Sequence, residues 1–129
     1  QKSRTQREWL AYSPEILIKR YGQPSRVDFT ADWGPRPFFS MQLYFDSDDL
    51  IVQYAGPNLI PSEKGPALIC PLTAQFESIW LWMGKDPYYP PAKGVELSEV
   101  ASMTIPEFVE LMTEDPNNAC FYFDGNVFR

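Results

Sequence analysis

Cys70 and Cys120 constrain this chain more than any other pair of residues. Each stands in a short apolar, strand-like segment, Ala67-Leu-Ile-Cys-Pro-Leu72 and Ala119-Cys-Phe-Tyr-Phe123, in a chain with no other cysteine. A bridge between them would lay the two segments side by side and close a loop of about fifty residues. In the chain-entropy view that closure stabilises the fold by roughly 4 kcal/mol. A metal site is the weaker use of the pair: the chain has no His, shows no Cys-x-x-Cys spacing, and zinc would need two further ligands drawn from carboxylates. Two separately buried thiols remain the alternative. The Cys70–Cys120 disulfide is the expectation, and it places the chain outside the cytoplasm, where such bridges persist.

A length of 129 residues suits one domain, and a chain of this size buries about two thirds of its unfolded surface. Apolar residues at 44% against 22% charged ones supply a single core, and the 16% aromatic share makes that core or its exposed faces rely on large, stiff side chains. The longest apolar runs, such as Ile79 to Met83, are far too short to cross a bilayer, so no transmembrane segment is expected in this chain, although peripheral or lipid-anchored membrane association stays open. A start at Gln1 without Met fits a mature protein that has lost an export signal as well as a trimmed chain.

Charge divides the chain unevenly. Residues 1–26 hold six cations against two carboxylates, a balance of +4, and the remainder holds five cations against fifteen carboxylates, a balance of −10. So acidic a body disfavours nucleic-acid phosphates, and no nucleic-acid partner is expected. The basic residues 1–12 form an N-terminal arm, a frayed end or a contact for an anionic partner, and residues 13–129 form a single α+β domain.

Local signals divide that domain. Ser13-Pro14-Glu15 is an N-cap, a first-turn Pro and a first-turn acid, and Gly22 with Pro24 stops the chain, which predicts a helix over 14–21. Val27, Phe29 and Ala31 alternate with Arg26, Asp28 and Thr30 in the period of a half-buried strand. Residues 38–45 and 50–55 form a hairpin about Asp46-Ser-Asp-Asp49. A strand surrounds Cys70, and another, Ser78-Ile-Trp-Leu-Trp-Met83, sets Trp80 and Trp82 opposite Ile79, Leu81 and Met83. Five Pro and Gly residues mark 84–94 as an exposed loop. Thr104-Ile-Pro-Glu107 has capping-box spacing and opens a helix over 105–114. Asn117 and Asn118 turn the chain into the Cys120 strand, and Asp124-Gly-Asn126 allows a last short hairpin. The fold class expected is α+β: a mainly antiparallel sheet of about five to six strands with two short helices packed on one face.

The segment Ile18-Lys-Arg-Tyr-Gly-Gln-Pro-Ser-Arg-Val27, with the hairpin Gln42-Leu-Tyr-Phe-Asp … Leu50-Ile-Val-Gln-Tyr54, resembles small bacterial envelope domains. A short helix ending in Gly-x-Pro and running into an antiparallel meander is similar to the SmpA/OmlA outer-membrane lipoprotein family and to the β-lactamase-inhibitor-protein-like fold. The likeness covers about residues 13–55, and the second half resembles other exported bacterial proteins. It implies an envelope protein that works by contact and transfers no catalytic residue.

Catalytic chemistry finds little purchase. A Ser or Cys nucleophile lacks a His base, and Lys19, Lys64, Lys85 and Lys93 all stand in polar or loop contexts. No pair among the acids is marked as facing across a cleft. Asp46-Ser-Asp-Asp49 opens like a calcium loop but has Ile51 at the sixth position, where Gly would be needed, and no Glu at the twelfth, so a plain turn is expected, with no metal and no cofactor. Pro87-Tyr-Tyr-Pro-Pro91 has P-x-x-P spacing, and Tyr88, Tyr89 and Pro90 fit no core pattern, which makes them the leading contact residues. Trp80 and Trp82 share one strand face and complete the candidate partner-binding set: exposed, they would stack on a protein or on sugars, and buried, the favoured case, they fill the core. The function expected is that of a non-catalytic extracytoplasmic interaction domain, a lipoprotein or accessory subunit with a protein partner in a cell-envelope assembly. The alternative is a carbohydrate-binding or hydrolytic module built on exposed Trp and acidic residues.

Overall fold

The computed structural model describes residues 12–32, 38–56, 66–69, 78–84, 94–115 and 119–124. Helix α1, Pro14–Tyr21, begins where expected: the Ser13 hydroxyl accepts the Ile16 N–H, Pro14 occupies the first turn, and Lys19 pairs with Glu15 at 2.7 Å one turn earlier. It ends because Gly22 adopts φ +90°, open to glycine at low steric cost, while its N–H donates to the Ile18 carbonyl at 2.8 Å. Leu17 and Ile18 are the apolar residues it buries.

Strands β1 (Arg26–Asp32), β2 (Phe38–Phe45), β3 (Leu50–Gly56), β5 (Ser78–Met83) and β6 (Val95–Glu96) form one open antiparallel sheet in the order β5-β3-β2-β1-β6. The β2–β3 connection is a single 3-10 turn, Asp46–Asp48, closed by Asp49 at φ +50°. Register sets Val27 opposite Leu43 and Phe29 opposite Met41, and the next step across sets Leu43 opposite Val52 and Met41 opposite Tyr54. Because strand side chains alternate, all of these share one face. They join Leu17, Ile18, Phe108 and Met112 in one buried cluster with Leu97, Val100, Ala119 and Phe121.

Two elements escaped the sequence patterns. Val95–Glu96 is a two-residue strand on β1, and Leu97–Val100 is a one-turn helix, α2, which buries Leu97 and Val100. Both are too short for any period to register. Helix α3, Ile105–Glu114, carries the expected capping box, with the Thr104 hydroxyl accepting from the Glu107 N–H and the Glu107 carboxylate accepting from the Thr104 N–H. It buries Phe108 and Met112.

The strands beside the cysteines do not extend the main sheet. Among the described residues, β4 (Pro66–Ile69) and β7 (Phe121–Asp124) pair with each other and with no other strand, antiparallel, with Ile69 opposite Phe121. The single sheet of five to six strands is therefore a five-stranded sheet with a separate two-stranded one. β7 still reaches the core, since the Phe121 ring lies 6.1 Å from Phe29 and meets Phe108 edge-on at 6.2 Å. Cys120 immediately precedes β7 and is disulfide-bonded; Cys70 lies outside the described residues.

Candidate interaction surface

Strand β5 stands at one end of the five-stranded sheet, and among the described residues β3 is its one strand neighbour. Gly84, just past it, donates its N–H to the Asp49 carbonyl at 2.8 Å. Any larger residue there would clash, because a Cβ on Gly84 would stand 2.8 Å from Asp49 Cβ. That bond also sets the phase of the ladder. Main-chain groups alternate direction along an antiparallel strand, so those of Ser78, Trp80 and Trp82 face β3 and those of Ile79 and Leu81 face out of the sheet.

Trp80 and Trp82 project from the same face, their rings stacked at 6.3 Å with 24° between planes. Each indole N–H has a partner: Trp82 donates to Gln53 Oε1 at 3.3 Å, and Trp80 donates to the Ser78 hydroxyl at 3.1 Å. Trp82 is half-buried, but Trp80 is 56% exposed, and on the opposite face Leu81 and Met83 are 45% and 49% exposed. The expectation that both tryptophans fill the core is thus corrected for Trp80. A terminal strand has a neighbour on one side only, and a side chain there loses half the cover it would have in the sheet interior. Tyr88, Tyr89 and Pro90, the other expected contact residues, lie outside the described residues, as do Lys64, Lys85 and Lys93.

A second cluster occupies the sheet face that carries Trp80 and Trp82, and pattern reading missed it. Asp28 has no exposed surface, yet its carboxylate accepts four hydrogen bonds: from Gln42 Nε2 at 2.7 Å, Tyr44 OH at 2.9 Å, Arg26 Nε at 2.9 Å and the Gly94 N–H at 3.1 Å. Arg26 also donates to the Gly94 carbonyl at 2.9 Å, pairs with Glu96, and lies over the Tyr44 ring. Burial, followed by the hydrogen bond to Asp28 and its charge, raises the Tyr44 pKa above the ordinary phenol value. Gly94 alone fits its place, since a Cβ would sit 2.1 Å from the Phe29 carbonyl oxygen. The signal for this cluster was the coincidence of Asp28 opposite Gln42 and Arg26 opposite Tyr44, legible only once the register is known.

These polar groups are matched to one another, which is the pattern of a clamp holding β1, β2 and the Gly94–Glu96 segment together. A cleft of about 280 Å³ beside it is lined by Ser25, Arg26, Glu96, Ser98, Met103 and Thr104 among others. Its main polar groups are also engaged: Arg26 by Asp28 and Glu96, Thr104 by Glu107, and Ser25 by Asp46 at 2.7 Å. Asp46 and its neighbours form the turn already described, and among the described residues no group of three or more Cys, Asp or Glu is arranged to hold a metal ion.

No helix among the described residues is long and apolar enough to cross a membrane. No protein family, no curated protein and no solved structure matches this chain. Fold and site together define its class at the level of an α+β protein with an open five-stranded antiparallel sheet and an aromatic terminal strand.

Proposed function

We propose that this chain is a non-catalytic interaction domain of an extracytoplasmic assembly and that β5 is its contact surface. The observation that carries the reading is Trp80, 56% exposed and stacked on Trp82, on a sheet-terminal strand without a charged residue. Exposed tryptophans held by their own hydrogen bonds are ready anchors, because little rotamer freedom is lost when a partner covers them. The scaffold behind them is a sheet whose opposite face shares one apolar core with residues of α1 and α3.

The disulfide at Cys120 supports an oxidising compartment. The likeness of residues 13–55 to outer-membrane lipoprotein domains points to the cell envelope, with the chain as a lipoprotein or accessory subunit. Tyr88, Tyr89 and Pro90 belong to the same proposal, since they follow β5 and Gly84 closely in the sequence.

Capture of a protein partner from the native source tests the reading. Trp80→Ala combined with Trp82→Ala should abolish capture while far-UV circular dichroism and the melting temperature stay close to those of the parent. Undiminished capture by a folded double variant would remove β5 as the surface.

The stacked indoles, with Trp80 exposed, favour a second reading, a carbohydrate platform, because sugar rings pack on aromatic faces. Glycan-induced quenching of tryptophan fluorescence, lost in Trp80→Ala, would decide for it.

A further inference from the structure

Resting on the reading of β5 as the contact surface, we infer that its indole face receives a basic, arginine-bearing segment of a partner protein, which stacks on Trp80 and pairs with Asp49. Trp80 and Trp82 lie two residues apart on one face of the strand with their rings stacked, and Trp80 is more than half exposed. Their indole N–H groups are already matched to Ser78 and Gln53, so the ring faces are what they offer a partner.

The row of indoles ends on a carboxylate. Side chains alternate along a strand, so Gly84 belongs to the same face as Trp80 and Trp82. Gly84 places nothing there, and the Asp49 side chain fills the position instead: the point where a Gly84 Cβ would stand is 2.8 Å from Asp49 Cβ, 3.1 Å from its Cγ and 3.5 Å from its Oδ2. The 2.8 Å bond from the Gly84 N–H to the Asp49 carbonyl holds the two residues in that relation. Along one face stand an indole, an indole and a carboxylate.

That carboxylate has no counter-charge. Asp49 and Asp48 before it are exposed, and among the described residues neither side chain has an ion pair or a hydrogen bond. The described cations stand elsewhere: Lys19 pairs with Glu15 and Arg20 lies over Tyr21, both on α1, and Arg26 is held by Asp28 and Glu96. Beyond residue 26 the chain carries five cations against fifteen carboxylates. A positively charged segment is drawn to such a body at long range, and an acidic partner, a second copy included, is repelled.

Arginine is the cation that uses both parts of the row. Its guanidinium is planar and weakly hydrated, it is attracted to the negative face of an indole, and its fork of N–H donors matches a carboxylate. A lysine ammonium is a strongly hydrated point charge that pairs with Asp49 but gains less from the ring. A neutral glycan stacks on the same indoles, and its binding does not fall as salt is raised.

Calorimetric titration of the oxidised chain with an acetylated, amidated peptide of alternating glycine and arginine provides the test. Saturable binding is expected, with quenching of tryptophan fluorescence, and it should weaken as salt is raised. The lysine counterpart should bind less tightly, and the citrulline counterpart, which keeps the planar shape and loses the charge, should not bind. Asp49→Asn, which suits the same positive φ, should weaken binding about fivefold, the weight of one exposed charge-assisted pair, and Trp80→Ala at least as much. Circular dichroism and melting establish that each variant is folded. An arginine peptide that fails to bind, binds no more tightly than its lysine or citrulline counterpart, or binds both variants as well as the parent overturns the inference. A protein or glycan bound through Trp80 and Trp82 but indifferent to salt and to Asp49→Asn overturns the basic segment as occupant and leaves β5 standing as the contact surface.

Discussion

Asp28 is the residue on which the polar face of the sheet depends. A carboxylate with no solvent contact is costly unless its charge is met, and here four donors meet it, from β1, β2 and the chain at Gly94. Asp28→Ala would strand Gln42, Tyr44 and Arg26 around an empty position. We expect a loss of about 3 kcal/mol in urea unfolding at neutral pH, by the penalty for leaving buried polar partners unmatched. Asp28→Asn keeps the volume and part of the bonding, so it should cost less than Asp28→Ala. Equal stability of parent and Asp28→Ala would show that the cluster holds nothing together. Trp80 and Trp82 make the contrasting case on the same face, where the strand's position and not the side chain decides exposure.

Helix α3 shows how an element can be specified almost entirely by local chemistry. Its capping box matches two main-chain donors with two side chains, and Thr104 accordingly holds the Glu107 carboxyl below its ordinary pKa, chiefly through the main-chain N–H. A carboxylate whose pKa is depressed in the folded state adds stability above its unfolded pKa and loses that contribution as pH falls through the folded value. The support that Glu107 gives the helix start is therefore complete at neutral pH and fades below about pH 4.5. Thr104→Ala removes the hydroxyl and should destabilise the protein by about 1 kcal/mol, the usual cost of losing an N-cap. Carbon-detected NMR titration should show the Glu107 pKa moving back up in that variant. An unmoved value would mean the box has no part in it. Strand β5 is the opposite kind of element, regular in sequence but given its role by lying at the sheet end.

On the scale of the whole molecule, the two-stranded sheet is tied to the rest through the apolar side of β7, while the bond at Cys120 bears on how its own two strands are held together. Phe121 enters the core between Phe29 and Phe108, while Tyr122, one residue on, is 69% exposed. The register that sets Ile69 opposite Phe121 favours Cys70 as the partner of Cys120, because each residue is the next one outward on its strand. Thiol titration of the unfolded, unreduced chain is expected to find no free thiol, and after reduction two; two thiols before reduction would refute the bridge. Reduction should lower the melting temperature, through the loop-closure entropy returned to the unfolded chain.

The ends of α1 and α3, the hairpin about Asp46–Asp49 and the alternation of β1 and β5 were all legible from the residues themselves. Caps, helix stops and alternation act over a few residues, and nothing distant is needed to satisfy them. Alternation correctly placed Trp80 and Trp82 on one face, but it carries no count of neighbouring strands. Only tertiary pairing decided that β5 stands at the end of the sheet and leaves Trp80 in water, or that Arg26, Asp28, Gln42 and Tyr44 close into one buried cluster. The same holds for the cysteine-linked segments: their sequences marked them as strands, and long-range competition for partners separated them from the main sheet. Face is a local property of a strand, whereas edge, centre and partner belong to the assembled sheet.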